Sequence, residues 1–205
     1  QITLRMLEAW KRRYQEKYGY HRKPRAVFVL ASGGGLRSAY WTFSVLQHLD
    51  SLTQGQLSDE MRLMTGASGG SFGLTYYREL YWRQQQGEAI DRYSNAYQEQ
   101  ISGDLLNRIL FKILTDVFLP NQRVEMDQQQ YYRETGYSFD HQLATNLPEL
   151  AGRRLGDYQA PEQAGLIPPI VLTPTVINQG RKLYVASNPV SFLTRPHSIT
   201  DRYQS

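Results

Sequence analysis

Arg25-Ala-Val-Phe-Val-Leu-Ala-Ser-Gly-Gly-Gly-Leu-Arg37 and Met61-Arg-Leu-Met-Thr-Gly-Ala-Ser-Gly-Gly70 are the two stretches whose reading decides the fold. Each is a short apolar run that breaks at glycines and passes into a helical pattern. Ala26–Ala31 is continuously apolar, as a strand buried in a parallel sheet is. Behind the first glycines, Leu36–Leu52 carries Tyr40, Phe43, Leu46 and Leu49 along one side of a helix. Behind the second, Phe72, Tyr76 and Leu80 fall one turn apart. Strand, glycine turn and helix, repeated once, predict an α/β sandwich with a mainly parallel sheet.

The second turn, Gly66-Ala67-Ser68-Gly69-Gly70, matches G-x-S-x-G. In that motif a serine sits on a sharp strand-to-helix turn, and the flanking glycines remove side chains that would collide there. The hydroxyl is thereby exposed beside a helix N-terminus, where free N–H groups and the dipole favour developing negative charge. Gly and Ser are common, so the motif draws its weight from its setting between Met61–Thr65 and a helix. The first turn, Ser32-Gly33-Gly34-Gly35-Leu36-Arg37, lets backbone N–H groups converge, as an oxyanion hole or a phosphate cradle requires. No Lys follows the glycines, against a P-loop, and Ser38 stands where a dinucleotide fingerprint needs glycine. An oxyanion hole remains, beside the plainer reading of a turn for close helix–sheet packing.

Together, S-G-G-G-x-R after one strand and G-x-S-G-G after the next resemble the patatin-like phospholipase family. The resemblance runs through Ala26–Leu49 and Met61–Tyr77, with Val171–Leu193, including Asn178–Arg181, as a further stretch. It implies a three-layer α/β sandwich, a Ser–Asp dyad and hydrolysis of lipid or phospholipid acyl esters, with no metal or other cofactor. Ser68 is then the nucleophile and Gly66, Gly69 and Gly70 its elbow. Gly33, Gly34 and Gly35 form the oxyanion hole, with Arg37 helping to fix that loop. The family's Asp lies in a D-G-[A/G] or D-A-G element, and none occurs in these 205 residues. The resemblance places it beyond Ser205. The alternative is a catalytically inactive binding or scaffold module that lacks it. An acyl-carrier-protein transferase is disfavoured because Ala67 stands where its G-H-S-x-G has histidine. A triad of Ser68, Asp140 or Asp157, and His197 fits the α/β-hydrolase order. Yet no local acid orients His197, and His21 and His48 read as ordinary surface or helix residues.

Outward from this core, residues 1–24 form an amphipathic basic helix and 25–205 the catalytic domain. Leu4, Leu7, Trp10, Tyr14 and Tyr18 make the apolar stripe. Lys11, Arg12, Arg13, Lys17, Arg22, Lys23 and Arg25 crowd around Glu16, which suits a solvated face or a peripheral contact with anionic lipid. Residues 88–168 read as a helical and loop insertion or lid, helical over 88–118. Pro169–Asn178 and Lys182–Ser187 resemble a hairpin about Gln179-Gly180. With 40% hydrophobic and 20% charged residues, disorder is excluded. The absence of cysteine excludes thiolate chemistry and disulfides. No run approaches the roughly 20 apolar residues of a membrane span. The start does not read as a signal peptide, and without an initiator Met the natural N-terminus is expected upstream. A cytoplasmic or membrane-peripheral protein, with lipid rather than nucleic acid as partner, is the resulting expectation.

Overall fold

A computed structural model describes residues 2–103, 123–126, 129–132, 135–176 and 180–190. Helix α1 (Ile2–Tyr18) leads to β1 (Val27–Ala31), α2 (Gly35–Leu52), the short α3 (Gln56–Glu60), β2 (Met61–Gly66) and α4 (Gly69–Gln85). Next come α5 (Asn95–Ser102), an antiparallel pair β3 (Arg123–Met126) and β4 (Gln129–Tyr132), α6 (Thr135–Asn146) and α7 (Gln159–Gln163). Strands β5 (Ile170–Leu172), β6 (Thr175–Val176) and β7 (Arg181–Lys182) follow. The main sheet is parallel, in the order β1-β2-β5, and flanked by helices. That is the expected α/β fold class. Its register pairs Ala31 with Gly66, and Gly66 with Leu172. Parallel strands ending level release their following loops side by side, so the register alone brings the two glycine turns together.

Val27, Val29 and Ala31 turn to a core made with Phe43 and Leu46 of α2, Leu74, Tyr76 and Leu80 of α4, Met64 and Ile170. Phe43 stacks on Tyr76 with ring centroids 5.2 Å apart. The alternate residues of β1 face outward, Phe28 at 60% and Leu30 at 76% exposure, as a period of two requires. On α1, Trp10 and Tyr14 are buried while Leu4 and Leu7 are exposed, so the predicted stripe packs only along its second half.

Two sequence expectations need correction. Residues 88–94 are not helical: Gly87 has φ +87°, and the helix restarts only at Asn95, where the Ser94 side chain accepts from the Ala96 amide. Asp91, expected on a helix, therefore lies in the connecting loop. Residues beyond Gly103 up to 118 lie outside the described set. The run Pro169–Asn178 is two strands rather than one: Ile170–Leu172 joins the parallel sheet beside β2. The expected antiparallel pairing is present beside it, Thr175–Val176 with Arg181–Lys182, and Leu172 continues its register by bridging Val185. Residues 177–179 lie outside the described set.

Asp50, Asp59 and Arg78, buried among these helices, are paired. Asp50, fully buried, accepts from the Ser58 amide, the Tyr77 and Tyr93 hydroxyls, and Arg92 Nη2 at 2.6 Å. Asp59 accepts from Lys17 (2.6 Å), Tyr18 (2.7 Å) and Tyr81 (2.7 Å). Burial alone would raise the Asp59 carboxyl, but these three donors outweigh it and hold it below its usual value. Burial pushes the Tyr77 phenol well above its normal range, with the Asp50 charge adding to it, and Tyr93 to about 12. The phenols therefore serve as neutral donors. Arg78 pairs with Glu162 at 2.5 Å, each side chain 1% exposed.

Candidate functional site

At the carboxyl end of β2 the chain turns through Ala67 and Ser68 into α4. Ser68 has φ 48° and ψ −130°, a backbone conformation costing a non-glycine residue on the order of 1–3 kcal/mol. The strain is held from several sides. The Ala67 amide donates to the Ala31 carbonyl (3.1 Å), and the Ser71 amide to the Ser68 carbonyl (3.0 Å). Thr173, just beyond β5, donates to the Gly66 carbonyl at 3.0 Å. Ser68 is the N-cap residue of the 17-residue α4, yet its side chain makes no capping bond. The residue is exposed, and no hydrogen bond to its hydroxyl occurs among the described residues.

The glycine loop after β1 lies directly against this turn. A Cβ on Gly69 would sit 1.8 Å from the Gly35 carbonyl oxygen, and one on Gly70 2.5 Å from that of Ser32. A Cβ on Gly33 would come within 3.2 Å of Ser68 Cβ. These glycines are therefore demanded by contact between the two turns. Gly34 (φ 152°) and Gly35 (φ 60°) supply the bend that starts α2. Backbone N–H groups of Gly33 and Gly34 have no acceptor among the described residues. Gly35 and Gly69, each first in its helix, lack an acceptor for the same reason that any first helical turn does. Four donors without an acceptor among the described residues thus belong to the two turns flanking Ser68.

Arg37 is exposed, and its side chain forms no hydrogen bond or ion pair among the described residues. The loop is instead tied by Ser38, whose hydroxyl donates to the Ser32 carbonyl at 2.5 Å. Sequence reasoning passed over Ser38, although a serine early in a helix, within reach of the preceding loop, is a recurrent tie of this kind. It also passed over the Gly69 amide as a donor.

The other acids and the histidines lie elsewhere. Asp50 and Asp59 gather around α3, at the amino end of β2, about 17 Å of strand away from Ser68. Asp157 sits in a 3-10 turn and accepts from the Arg154 amide at 2.8 Å. His21 and His48 are exposed. His197, Asp201 and the Asp140 side chain lie outside the described residues. No cluster of His, Asp and Glu suited to a metal occurs among the described residues.

A serine elbow facing a glycine loop across neighbouring parallel strands is set here in a fold shared with a phospholipase A2. The solved structure of human GIVD cytosolic phospholipase A2 in complex with methyl gamma-linolenyl fluorophosphonate superposes with a TM-score of 0.53 at 15% identity, covering 91% of this chain. The same human enzyme with that inhibitor and terbium chloride gives 0.51 at 14% identity. The chain spans 27% of the length of either structure's chain. At such identities the likeness concerns the fold. No protein-family model matches the sequence, and no curated protein matches it. No described helix is long and apolar enough to cross a membrane.

Proposed function

We propose that this chain carries the nucleophile and oxyanion hole of a serine-dependent, patatin-like lipid acyl hydrolase, acting through an acyl-enzyme on Ser68. The observation that supports this most is the contact between the two turns: unpaired amides of Gly33, Gly34, Gly35 and Gly69 flank a strained, exposed serine at a helix N-terminus. The fold shared with a phospholipase A2 supports lipid acyl esters as the substrate class.

In this mechanism Ser68 Oγ attacks the ester carbonyl and gives its proton to a carboxylate, the dyad Asp expected beyond Ser205. The C=O π electrons move onto oxygen, and the amides of the two turns hold that oxyanion. Removing one such donor typically costs roughly 2.7–4 kcal/mol of transition-state stabilisation. Collapse expels the alcohol, which takes the proton, and water then releases the fatty acid from the acyl-enzyme. Residues 25–205 form the catalytic domain in this reading, with 88–168 as its insertion or lid. Exposed apolar residues at the start of α1, Leu4 at 64% and Leu7 at 42%, suit peripheral contact with a lipid surface.

A second reading is favoured by one observation, the absence of any hydrogen-bond partner for the Ser68 hydroxyl among the described residues. Without a base the domain would be a binding module. Fluorophosphonate labelling separates the two, since the reagent is attacked only by an activated serine. Labelling of the natural full-length protein at Ser68, together with phospholipase turnover abolished in a folded Ser68→Ala variant, is expected. Unlabelled Ser68, or wild-type turnover in Ser68→Ala, would overturn the proposal.

A further inference from the structure

The basic residues between Lys11 and Arg25 separate in the folded chain. Arg25 pairs with Glu60 at 3.0 Å, and Lys11, Arg12, Arg22 and Lys23 are exposed. Arg13 and Lys17 instead line a cavity of about 400 Å³ with Gln85, Arg92, Tyr81 and Tyr93. Gln54, a non-glycine residue at φ 53°, lies on its wall. The cavity borders the turn before α3, at the opposite end of β2 from Ser68.

Its charge does not balance. Lys17 is paired with Asp59 and Arg92 with Asp50, each at 2.6 Å. Arg13 makes three hydrogen bonds, all to neutral oxygens: the carbonyls of Gly165 (3.1 Å) and Leu166 (3.2 Å), and Gln85 Oε1 (2.5 Å). Behind it Arg62, 8% exposed, stacks on Trp10 with 4.3 Å to the ring centroid. Its hydrogen bond is a 3.4 Å contact to the Asp59 carbonyl, and its Nε has no acceptor. Among the described residues, four cations around this cavity meet two carboxylates. A guanidinium without a counter-ion is costly to bury. Burial accordingly pushes Arg62 below its normal range, and the like charge of Arg13 adds to the effect.

We propose that this cavity is an anion site whose ligand is a phosphomonoester, taken by Arg13 with Lys17 and Arg92 beside it. A phosphomonoester carries about −1.5 to −2 charge at neutral pH, which matches the surplus of two cations. The guanidinium fork of Arg13 presents paired donors to phosphate oxygens, and its existing partners are neutral acceptors that leave its charge available. Gln84 and Gln85 add side-chain amides to the wall. The volume admits a phosphate with a small organic substituent. The site is separate from Ser68 and does not depend on its chemistry.

Calorimetry and thermal unfolding of the chain with inorganic phosphate and with glycerol phosphate, at ionic strength held constant with chloride, test the proposal. Saturable binding with a rising Tm is expected, unchanged in Ser68→Ala. Two variants locate it. Arg13→Gln removes the unbalanced cation, though its bonds to Gly165 and Leu166 also hold α1 in place. Gln85→Glu keeps the packing and sets a carboxylate against Arg13. That variant should fold at least as stably and bind phosphate roughly tenfold or more weakly. Vesicles of phosphatidylcholine containing phosphatidic acid identify the source. Vesicle binding lost in Gln85→Glu marks a lipid headgroup, whereas binding of the soluble esters alone marks a free phosphorylated ligand. No phosphate binding, equal binding by Gln85→Glu, or vesicle binding indifferent to that substitution would overturn the proposal.

Discussion

The carboxyl end of β2 is built from backbone, whereas its amino end is built from charged side chains. Around Ser68, glycines bring two turns into contact, and the polar groups left over are main-chain amides. Around α3, Asp50 and Asp59 are buried under Arg92, Lys17 and a ring of tyrosine hydroxyls. Backbone amides cannot rotate away, so a site made from them is organised before any substrate arrives. Side-chain networks hold only while every member is present, because each charge left alone in a low-dielectric interior is expensive. Substitutions at the two ends should therefore fail in different ways.

The largest effect is expected at the charged end. Asp50→Ala strips Arg92 of its counter-ion and leaves the Tyr77 and Tyr93 hydroxyls without their common acceptor. Leaving one partner of a buried pair alone typically costs about 3–5 kcal/mol. Urea unfolding should show a loss of that size. A loss of under about 1 kcal/mol, the value of an exposed pair, would mean that water reaches this network and would dissolve the contrast.

Next in size is Gly69→Ala, at the backbone end. A Cβ 1.8 Å from the Gly35 carbonyl cannot be absorbed by turning a side chain, so one of the two loops must retreat. Overpacking of this kind costs about 3 kcal/mol. Because the displaced group is the glycine loop itself, fluorophosphonate labelling of Ser68 in the full-length protein should fall with stability. Retained labelling in a stable Gly69→Ala chain would show that the loops are not in obligatory contact.

The two ends also differ in how well the sequence announced them. Gly33–Gly35 and Gly66–Gly70 are legible because strand, glycine turn and helix follow one another without interruption, and because glycine's absence of a Cβ has few other uses. The parallel sheet needed only the matching apolar runs Ala26–Ala31 and Met61–Thr65, while its register came with the fold. The network around Asp50 left no such trace: Arg92 is 42 residues away along the chain, and Glu162 is 84 from Arg78. Charged residues on a helix look alike whether they face solvent or a distant partner, so Asp50, within the helix read over Leu36–Leu52, stands out in no way. The basic stretch from Lys11 to Arg25 could not be divided in the sequence for the same reason. Only tertiary packing separates Arg13 and Lys17, which face the cavity, from Lys11 and Arg12, which do not. The hairpin expected over Pro169–Ser187 was legible in its two β-rich runs, whereas nothing local showed that Ile170–Leu172 also joins the parallel sheet.

The smallest effect is the one that asks whether the backbone end is strained at all. Ser68 at φ 48° carries on the order of 1–3 kcal/mol that glycine would not. Ser68→Gly removes that cost but loses roughly 0.5–1 kcal/mol through the greater freedom of glycine in the unfolded chain. A net gain of about 1 kcal/mol follows, which for a chain of this size raises Tm by about 2–4 °C. Ser68→Ala keeps the Cβ and with it the strain, so it should melt with the wild type. The pair separates conformational cost from loss of the hydroxyl, since both variants lack the hydroxyl. If Ser68→Gly melted no higher than Ser68→Ala, the turn would impose no strain on residue 68. The neighbouring contacts, rather than a forced backbone angle, would then be what holds the hydroxyl against the glycine loop.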